Sequence, residues 1–599
     1  MCGIAGIVTD NQYRDNLEGI AKKMQAALRN RGPDDQGVFV SQSRQAALAH
    51  TRLAIIDLSP LGHQPMSSPD GHYWITYNGE IYNFKELRAE LQNEGEKFQT
   101  SSDTEIILRL YQREGPDCLN KLRGMFAFAI WDEREKSCFF ARDPFGVKPL
   151  YYFSDHTTLA FASEVKAILA AGVTERRISK EGLYGYFLSG SVPEPYTMIE
   201  RVLSLPAGHW MKWKNGLLEP PKSYWKIEFD AKKTTFREAC EKTRHSLIDS
   251  VEKHFVSDVP VGIFLSGGID SSALVALARQ TQRGKLLTYT MTFEEQGWNE
   301  GPIAKKVAER FDTLHTEYMI TAQEARKLFD SFLNSVDQPT IDGFNTYCIS
   351  KIARENGAKV LLSGLGGDEL FGGYQSFWKI PKMIYLGNFL RALNLSNVLS
   401  EGSERLGTPY SRRLADFLRK KPSATAAYRS LRGIFSESES GLLMPQYIPG
   451  SSPSLPFADT SSGLTGLKDE ISYLELSYYM RNQLLRDSDC MSMAYGIEMR
   501  VPFVDRVFFR NISSIPSDTR ILPNKRLLVE SVPELPKEVY DRPKRGFLLP
   551  FQNWIEKYPE KDLWRVEAPK DVSLNLWYRR WSLAVLNKWI EKNLLRNLA

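Results

Sequence analysis

A chain of 599 residues is too long for one hydrophobic core, because single cores stop growing near about 250–300 residues, so at least two domains are expected. Hydrophobic residues at 42% and charged residues at 25% exclude a mainly disordered or fibrous protein. The 77 Lys and Arg against 72 Asp and Glu leave a formal charge of +5, too little for this length to imply a nucleic acid or other polyanion as partner.

From the amino terminus, Met1 precedes Cys2 and Gly3. Removal of the initiator methionine, expected before a small residue, would leave Cys2 with a free α-amine that titrates near about 8 and can take the thiol proton. Helical periodicity covers residues 17–28 and 84–91, and short strands are expected at 73–77, 126–131 and 137–141. That mixture predicts sheets covered by helices. Asn78-Gly79-Glu80 follows the first of those strands and offers a side-chain amide and a backbone N–H to a tetrahedral oxyanion, although Asn-Gly also favours a hairpin turn. Arg52 suits the α-carboxylate of an amino acid and Asp103 its α-ammonium; each taken alone reads first as a surface charge or helix cap.

Residues 215–224, with Pro220 and Pro221, read as a linker because proline interrupts helix and interior strand alike. Beyond about residue 235 the texture changes. Buried-type strands at 261–265, 286–293 and 360–362 alternate with helices at 273–278 and 302–311, which predicts a parallel sheet with helices on both faces. The first strand runs into Ser266-Gly267-Gly268-Ile269-Asp270-Ser271-Ser272 and a helix, an arrangement that aims backbone N–H groups at an anion. It lacks the Gly-Lys-Ser/Thr ending of a Walker A loop. The strand at 360–362 runs into Ser363-Gly364-Leu365-Gly366-Gly367-Asp368-Glu369. Asp270 and Asp368 would then converge at the carboxyl ends of neighbouring strands, where two carboxylates near phosphates suit Mg2+, or each would cap its helix. Residues 379–432 read as basic, amphipathic and helical, and 436–466 as a long surface loop.

Met-Cys-Gly-Ile-Ala-Gly at the start, Arg31-Gly32-Pro33-Asp34, Arg52, Asn78-Gly79-Glu80, Asp103 and Ala141-Arg142-Asp143-Pro144-Phe145-Gly146 together resemble the glutaminase domain of class II glutamine amidotransferases. The resemblance implies an α+β Ntn-hydrolase sandwich, with helices covering two antiparallel sheets, over residues 2–215. It implies Cys2 as nucleophile, Asn78 and Gly79 as the oxyanion hole, and Arg52, Glu80 and Asp103 as the glutamine site. The Ser-Gly-Gly-x-Asp-Ser loop resembles the pyrophosphate loop of N-type ATP pyrophosphatases. With the Gly366 to Tyr374 run and Arg500-Val501-Pro502-Phe503, the whole chain is similar to the glutamine-hydrolysing asparagine synthetase family. That implies a linker at 216–234 and, at 235–599, an α/β synthetase domain with a helical carboxy-terminal part. ATP and Mg2+ are implied, the nucleotide held by Leu265, Ser266, Gly267, Gly268, Asp270, Ser271, Met291, Ser363, Gly364 and Lys544, the metal by Asp270 and Asp368.

The implied activity is amidation of aspartate to asparagine through an acyl-AMP, with glutamate, AMP and pyrophosphate released and ammonia carried through a sheltered passage. Two positions depart from the family pattern: Leu365 stands where glutamate is usual, and Cys490 where arginine is common near the domain interface. Leu365 leaves a second reading open, in which the same chemistry amidates a sugar acid or a biosynthetic intermediate. A third, a non-catalytic glutamine or nucleotide sensor, is opposed by Cys2, Asn78, Asp270, Asp368 and Lys544 standing together. Six scattered cysteines and the absence of a membrane-length apolar run point to the cytoplasm, to small-molecule partners and to neither nucleic acid nor membrane. The oligomeric state is left open, a homodimer included.

Overall fold

The structure, a computed structural model, describes residues 2–10, 16–295, 300–451, 466–541, 550–557 and 564–595. In strand β1 (Gly3–Thr9), Ala5 and Ile7 pack on the helices Leu17–Ala27 and Val165–Ala171, whereas Ile4 and Val8 face a second sheet. Side chains alternate faces along a strand, so one short segment serves two cores. In chain order follow β2 (Asp35–Val40), β3 (Ala46–Arg52), β4 (Met66–Ser67), β5 (Tyr73–Ile81), β6 (Gly124–Asp132), β7 (Ser137–Arg142), β8 (Tyr151–Ser154), β9 (Thr158–Ala162), β10 (Val202–Ser204), β11 (His209–Lys214), β12 (Leu217–Leu218) and β13 (Lys222–Ser223). They form two antiparallel sheets, ordered β10-β8-β9-β1-β3-β2 and β12-β11-β7-β6-β5-β4, with β13 also on β11. The outer face of the second sheet, with Ile75, Phe126, Phe128 and Ile130, packs on the helices Phe84–Asn93 and Asp103–Glu114. The expected sandwich of two antiparallel sheets between helices is present.

The carboxy-terminal half carries β14 (Val261–Phe264), β15 (Leu287–Phe293), β16 (Leu314–Ile320), β17 (Val360–Leu362) and β18 (Glu498–Arg500) in one parallel sheet ordered β16-β15-β14-β17-β18. Both faces are covered: Val261, Ile263, Val360 and Leu362 meet Ala273, Leu274 and Val307, while Met291, Leu361 and Met499 meet Phe329, Phe332 and Phe344. The strand order reverses at the β14–β17 pair, and in such sheets ligands bind outside the carboxyl ends at that reversal. Residues 379–432 are helical as expected, in Ser376–Ala392, Ser396–Arg405, Pro409–Arg419 and Ala424–Arg432. Among the described residues no helix is long and apolar enough to cross a membrane.

Three local readings of the sequence change. Asn78, Gly79 and Glu80 do not follow a strand but lie inside β5, paired with Ala127, Phe126 and Met125. The long partner β6 keeps the chain extended, so Asn-Gly makes no turn here. The stretch 436–466 is not one loop: Glu437–Tyr447 is a helix, begun by a capping box in which Ser436 Oγ accepts from the Glu439 N–H at 3.1 Å and the Glu439 carboxylate accepts from the Ser436 N–H at 3.0 Å. Residues 452–465 lie outside the described ones. Within 215–224, β12 and β13 pair with β11, so part of the expected linker extends the second sheet.

Candidate functional site

Cys2 sits buried at the head of β1, and its backbone N–H donates to Asn78 Oδ1 at 2.9 Å. That bond fixes the Asn78 amide: its oxygen is taken, and its buried Nδ2 meets no partner among the described residues. Along the same strand the Tyr77 N–H donates to Gln64 Oε1 at 2.8 Å and the Ile81 N–H to Asp103 Oδ2 at 3.0 Å, both away from β6. Strand amides alternate direction, so the Gly79 N–H faces the same open edge. A Cβ on Gly79 would lie 2.2 Å from the Met125 carbonyl oxygen, which explains glycine at that position.

Cys2, Arg52, Gly79, Glu80, Asp103 and Glu498 line one cavity of about 30 Å³, which holds little more than a water. Burial pushes the Cys2 thiol up, opposed in part by a hydrogen bond from the Leu53 backbone and by the Arg52 charge. The Arg52 guanidinium is turned into loop 56–62, donating to the carbonyls of Ser59 at 3.0 Å, Ile56 at 3.4 Å and Asp57. Asp103 is neither exposed nor the helix cap, which is Ser102; its carboxylate accepts from Tyr77 Oη at 2.8 Å, and burial raises its pKa. Glu80 accepts from Arg500 Nη2 at 2.9 Å through Oε2, while its buried Oε1 has no partner among the described residues. Burial lifts the Glu80 carboxyl well above the usual carboxylate range against the pull of Arg500.

The second cavity, about 440 Å³, opens at the carboxyl ends of β14 and β17, lined by Ser266, Gly268, Asp270 and Ser271 from one loop and Ser363, Gly364, Leu365 and Asp368 from the other. The helix Ile269–Thr281 begins at its edge. The loops touch so closely that a Cβ on Gly364 would lie 2.9 Å from Asp270 Cβ, and one on Gly367 2.4 Å from Asp270 Oδ1. Leu265 and Met291 are fully buried in the cores on the two faces of the sheet and, with Gly267, stand outside this lining. Lys544 lies outside the described residues. Neither Asp270 nor Asp368 is an N-cap; Gly268 and Gly366 are.

Lys525, which sequence reasoning missed, places its buried ammonium against both Asp270 and Asp368. It is set there by two consecutive left-handed residues, Asn524 at φ 55° and Lys525 at φ 52°, a conformation uncommon outside glycine and not readable from residue type. Among the described residues no three His, Cys, Asp or Glu side chains gather as a metal site. Two carboxylates already meeting one positive charge do fit Mg2+, which takes few protein ligands and completes its shell with phosphate oxygens and water.

A buried polar seam runs beside Cys2 toward the nucleotide cavity. Arg31 donates from Nε to the Cys2 carbonyl at 3.1 Å, and its Nη atoms pair with Glu164 at 2.9 Å and Asp489 at 2.8 Å. Arg31, Asp487, Asp489 and Cys490 share a cavity of about 10 Å³, and Asp487 also lines the large cavity. Cys490 Sγ donates to the Ser335 carbonyl at 3.3 Å. On β18, Glu498 faces the Cys2 cavity and its neighbour Met499 faces the other, so one strand separates them.

The sequence profile of a glutamine amidotransferase domain matches residues 1–225, and that of asparagine synthase matches residues 242–596. Among curated relatives, glutamine-hydrolyzing asparagine synthetase 1 of Bacillus subtilis (strain 168) is 34% identical over 584 residues, covering 93% of this chain and 88% of that one. A putative glutamine-hydrolyzing asparagine synthetase 2 of Methanocaldococcus jannaschii is 37% identical over 423 residues, covering 66% and 80%. Amidase chry2 of Gibberella zeae is 27% identical over 630 residues, covering 92% and 90%.

Proposed function

The chain belongs to the asparagine synthase family with an amino-terminal glutamine amidotransferase domain and is a ligase, and from that premise we propose that Cys2 releases ammonia from glutamine for transfer to a carboxylate activated as an acyl-AMP. The seam carries the reading: Arg31 holds the Cys2 carbonyl on one side and borders, with Asp487, a cavity next to the nucleotide pocket on the other.

On this reading methionine removal frees the Cys2 amine, which takes the thiol proton. The thiolate adds to the glutamine side-chain carbon, and the oxyanion is met by Asn78 Nδ2 and the Gly79 N–H. The C–N bond breaks, ammonia leaves with a proton from the amine, and water later frees glutamate from the thioester. Asp103 and Arg52 serve the amino-acid end of glutamine once loop 56–62 yields room, and Glu80 lies beside it. In the other pocket Ser266, Gly268, Ser271 and the N-terminus of the helix Ile269–Thr281 hold the phosphates of ATP. Asp270 and Asp368 would hold Mg2+, which neutralises phosphate charge. Lys525, paired with both carboxylates, would add its positive charge to the phosphate end of the pocket. Ammonia near neutral pH is mostly protonated in bulk water, so a route along the buried seam keeps it nucleophilic.

The names of several relatives point to aspartate as acceptor. Leu365, lining the nucleotide cavity, favours the second reading, a different carboxylate, because leucine can neither take a proton nor bind an α-ammonium group.

A crossed pair of variants tests the division of labour. Cys2→Ala should abolish glutamine-dependent amidation and keep ammonium-dependent turnover; Asp270→Asn should stop pyrophosphate release and keep glutamine hydrolysis. Equal loss of both activities in either variant contradicts the reading.

A further inference from the structure

Next to the nucleotide cavity lies a larger one of about 630 Å³. Asp342, Asn345, Leu365, Asp368, Tyr374 and Leu484 line both, so the two are continuous. Its far wall is built by the helices Pro409–Arg419 and Ala424–Arg432, the segment for which the sequence offered no role, and Trp577 and Tyr578 also line it.

Size and lining constrain what fits. Cavities of about 300–1,000 Å³ enclose ligands of drug size and bury most of their surface; aspartate would leave most of this one to water. Leu365 at the junction offers nothing to an α-ammonium group. Cations and anions are balanced along the lining, and two cations are already engaged: Arg432 pairs with Glu475 at 2.8 Å between the rings of Tyr374 and Tyr479, at 4.2 and 4.0 Å, and Lys420 pairs with Glu437. A polyanion would therefore find no surplus of positive charge. A wholly apolar acid would strip water from the amides of Asn345, Asn482 and Gln483 without replacing its hydrogen bonds. Tyrosine-rich walls present an apolar face and a polar tip, which suits a neutral body with flat C–H faces and several hydroxyls.

We infer that this chamber holds the acceptor, and that the acceptor is a sugar acid: a uronate whose carboxylate lies at the Leu365–Asp368 junction and whose ring lies against the aromatic wall. The inference rests on the amidation reading above. A carboxylate oxygen attacks the α-phosphorus of ATP and pyrophosphate leaves; ammonia then attacks the acyl carbon, AMP leaves, and the surplus proton goes to water.

The test is pyrophosphate release with ATP, Mg2+ and ammonium chloride, offered aspartate, glucuronate, galacturonate and the methyl glycosides of the two uronates. At least one uronate should exceed aspartate about tenfold in kcat/KM. Ala426→Trp and Ser430→Trp, each filling the chamber wall, should each lower the uronate rate about tenfold relative to the aspartate rate measured on the same preparation, a ratio that does not depend on how much enzyme is folded. Aspartate as the better substrate, or both variants leaving that ratio within about twofold of wild type, overturns the sugar-acid inference and leaves the amidation reading standing. Release with none of the acids, while glutamine is still hydrolysed, overturns both.

Discussion

Asn78 shows how one hydrogen bond prepares a side chain for chemistry. Because Cys2 N–H takes Oδ1, the buried amide nitrogen is left without a partner among the described residues, and Asn78→Leu keeps the branched shape while removing that donor. Loss of one oxyanion donor costs about 10²–10³ in kcat; glutamine hydrolysis should fall by that factor and ammonium-dependent turnover should hold, whereas a fall under about threefold contradicts the assignment. Asp487 gives a titration to follow. Burial holds its carboxyl up to about 7, above its value in the unfolded chain, so the folded state keeps a proton the unfolded chain has lost. Stability is therefore lost as pH rises toward about 7, by up to about 1.4 kcal/mol per pH unit. Asp487→Asn removes the titration, and urea unfolding should show the variant gaining on wild type between about pH 4 and 7; a difference independent of pH contradicts this. Asn78, Gly79 and Asp270 were legible because each belongs to a run of neighbours whose types make sense together. Lys525, Glu498 and Asp489 were not, because an isolated charge acquires meaning only from the distant residue that folding sets against it, and Arg31, though part of a matched run, gave no sign of its partners Glu164 and Asp489.

Strand β18 is three residues long and bears on both pockets. Arg500 is fully buried, donates to Glu498 at 2.6 Å, to Glu80 at 2.9 Å, and to the carbonyls of His254 and Val256 at 2.8 and 2.7 Å. Removing one partner of a buried ion pair costs about 3–5 kcal/mol, because the charge left behind is uncompensated. Arg500→Met should lower the thermal midpoint by several degrees and depress glutamine hydrolysis through Glu80; an unchanged midpoint contradicts the pairing. The strands at 261–264 and 360–362 were legible from continuous apolar runs that only a sheet covered on both faces would bury. The helix Glu437–Tyr447 was hidden by its serines and glycine, although Ser436 followed three residues later by Glu439 is a helix-start signal. The extent of β5 was hidden because a turn-favouring dipeptide lay in a strand whose partner, β6, begins more than forty residues later.

Across the whole molecule, the two halves are locked by charge pairs between distant segments. Arg123 grips Asp505 through two bonds of 2.8 and 3.0 Å, and Arg31 reaches Asp489. Asp505 also caps the helix Arg506–Ser513, so the pair ties a loop of one half to an element of the other. The space beside Arg31, Asp487 and Asp489 is about 10 Å³, too small for bulk water. The most direct test supplies glutamine labelled at the amide nitrogen together with a large excess of unlabelled ammonium, using whichever carboxylate drives pyrophosphate release. If ammonia travels sheltered from solvent, the amide formed carries label well above its share of the mixed ammonia pool. Label diluted to the composition of that pool would contradict a sheltered transfer.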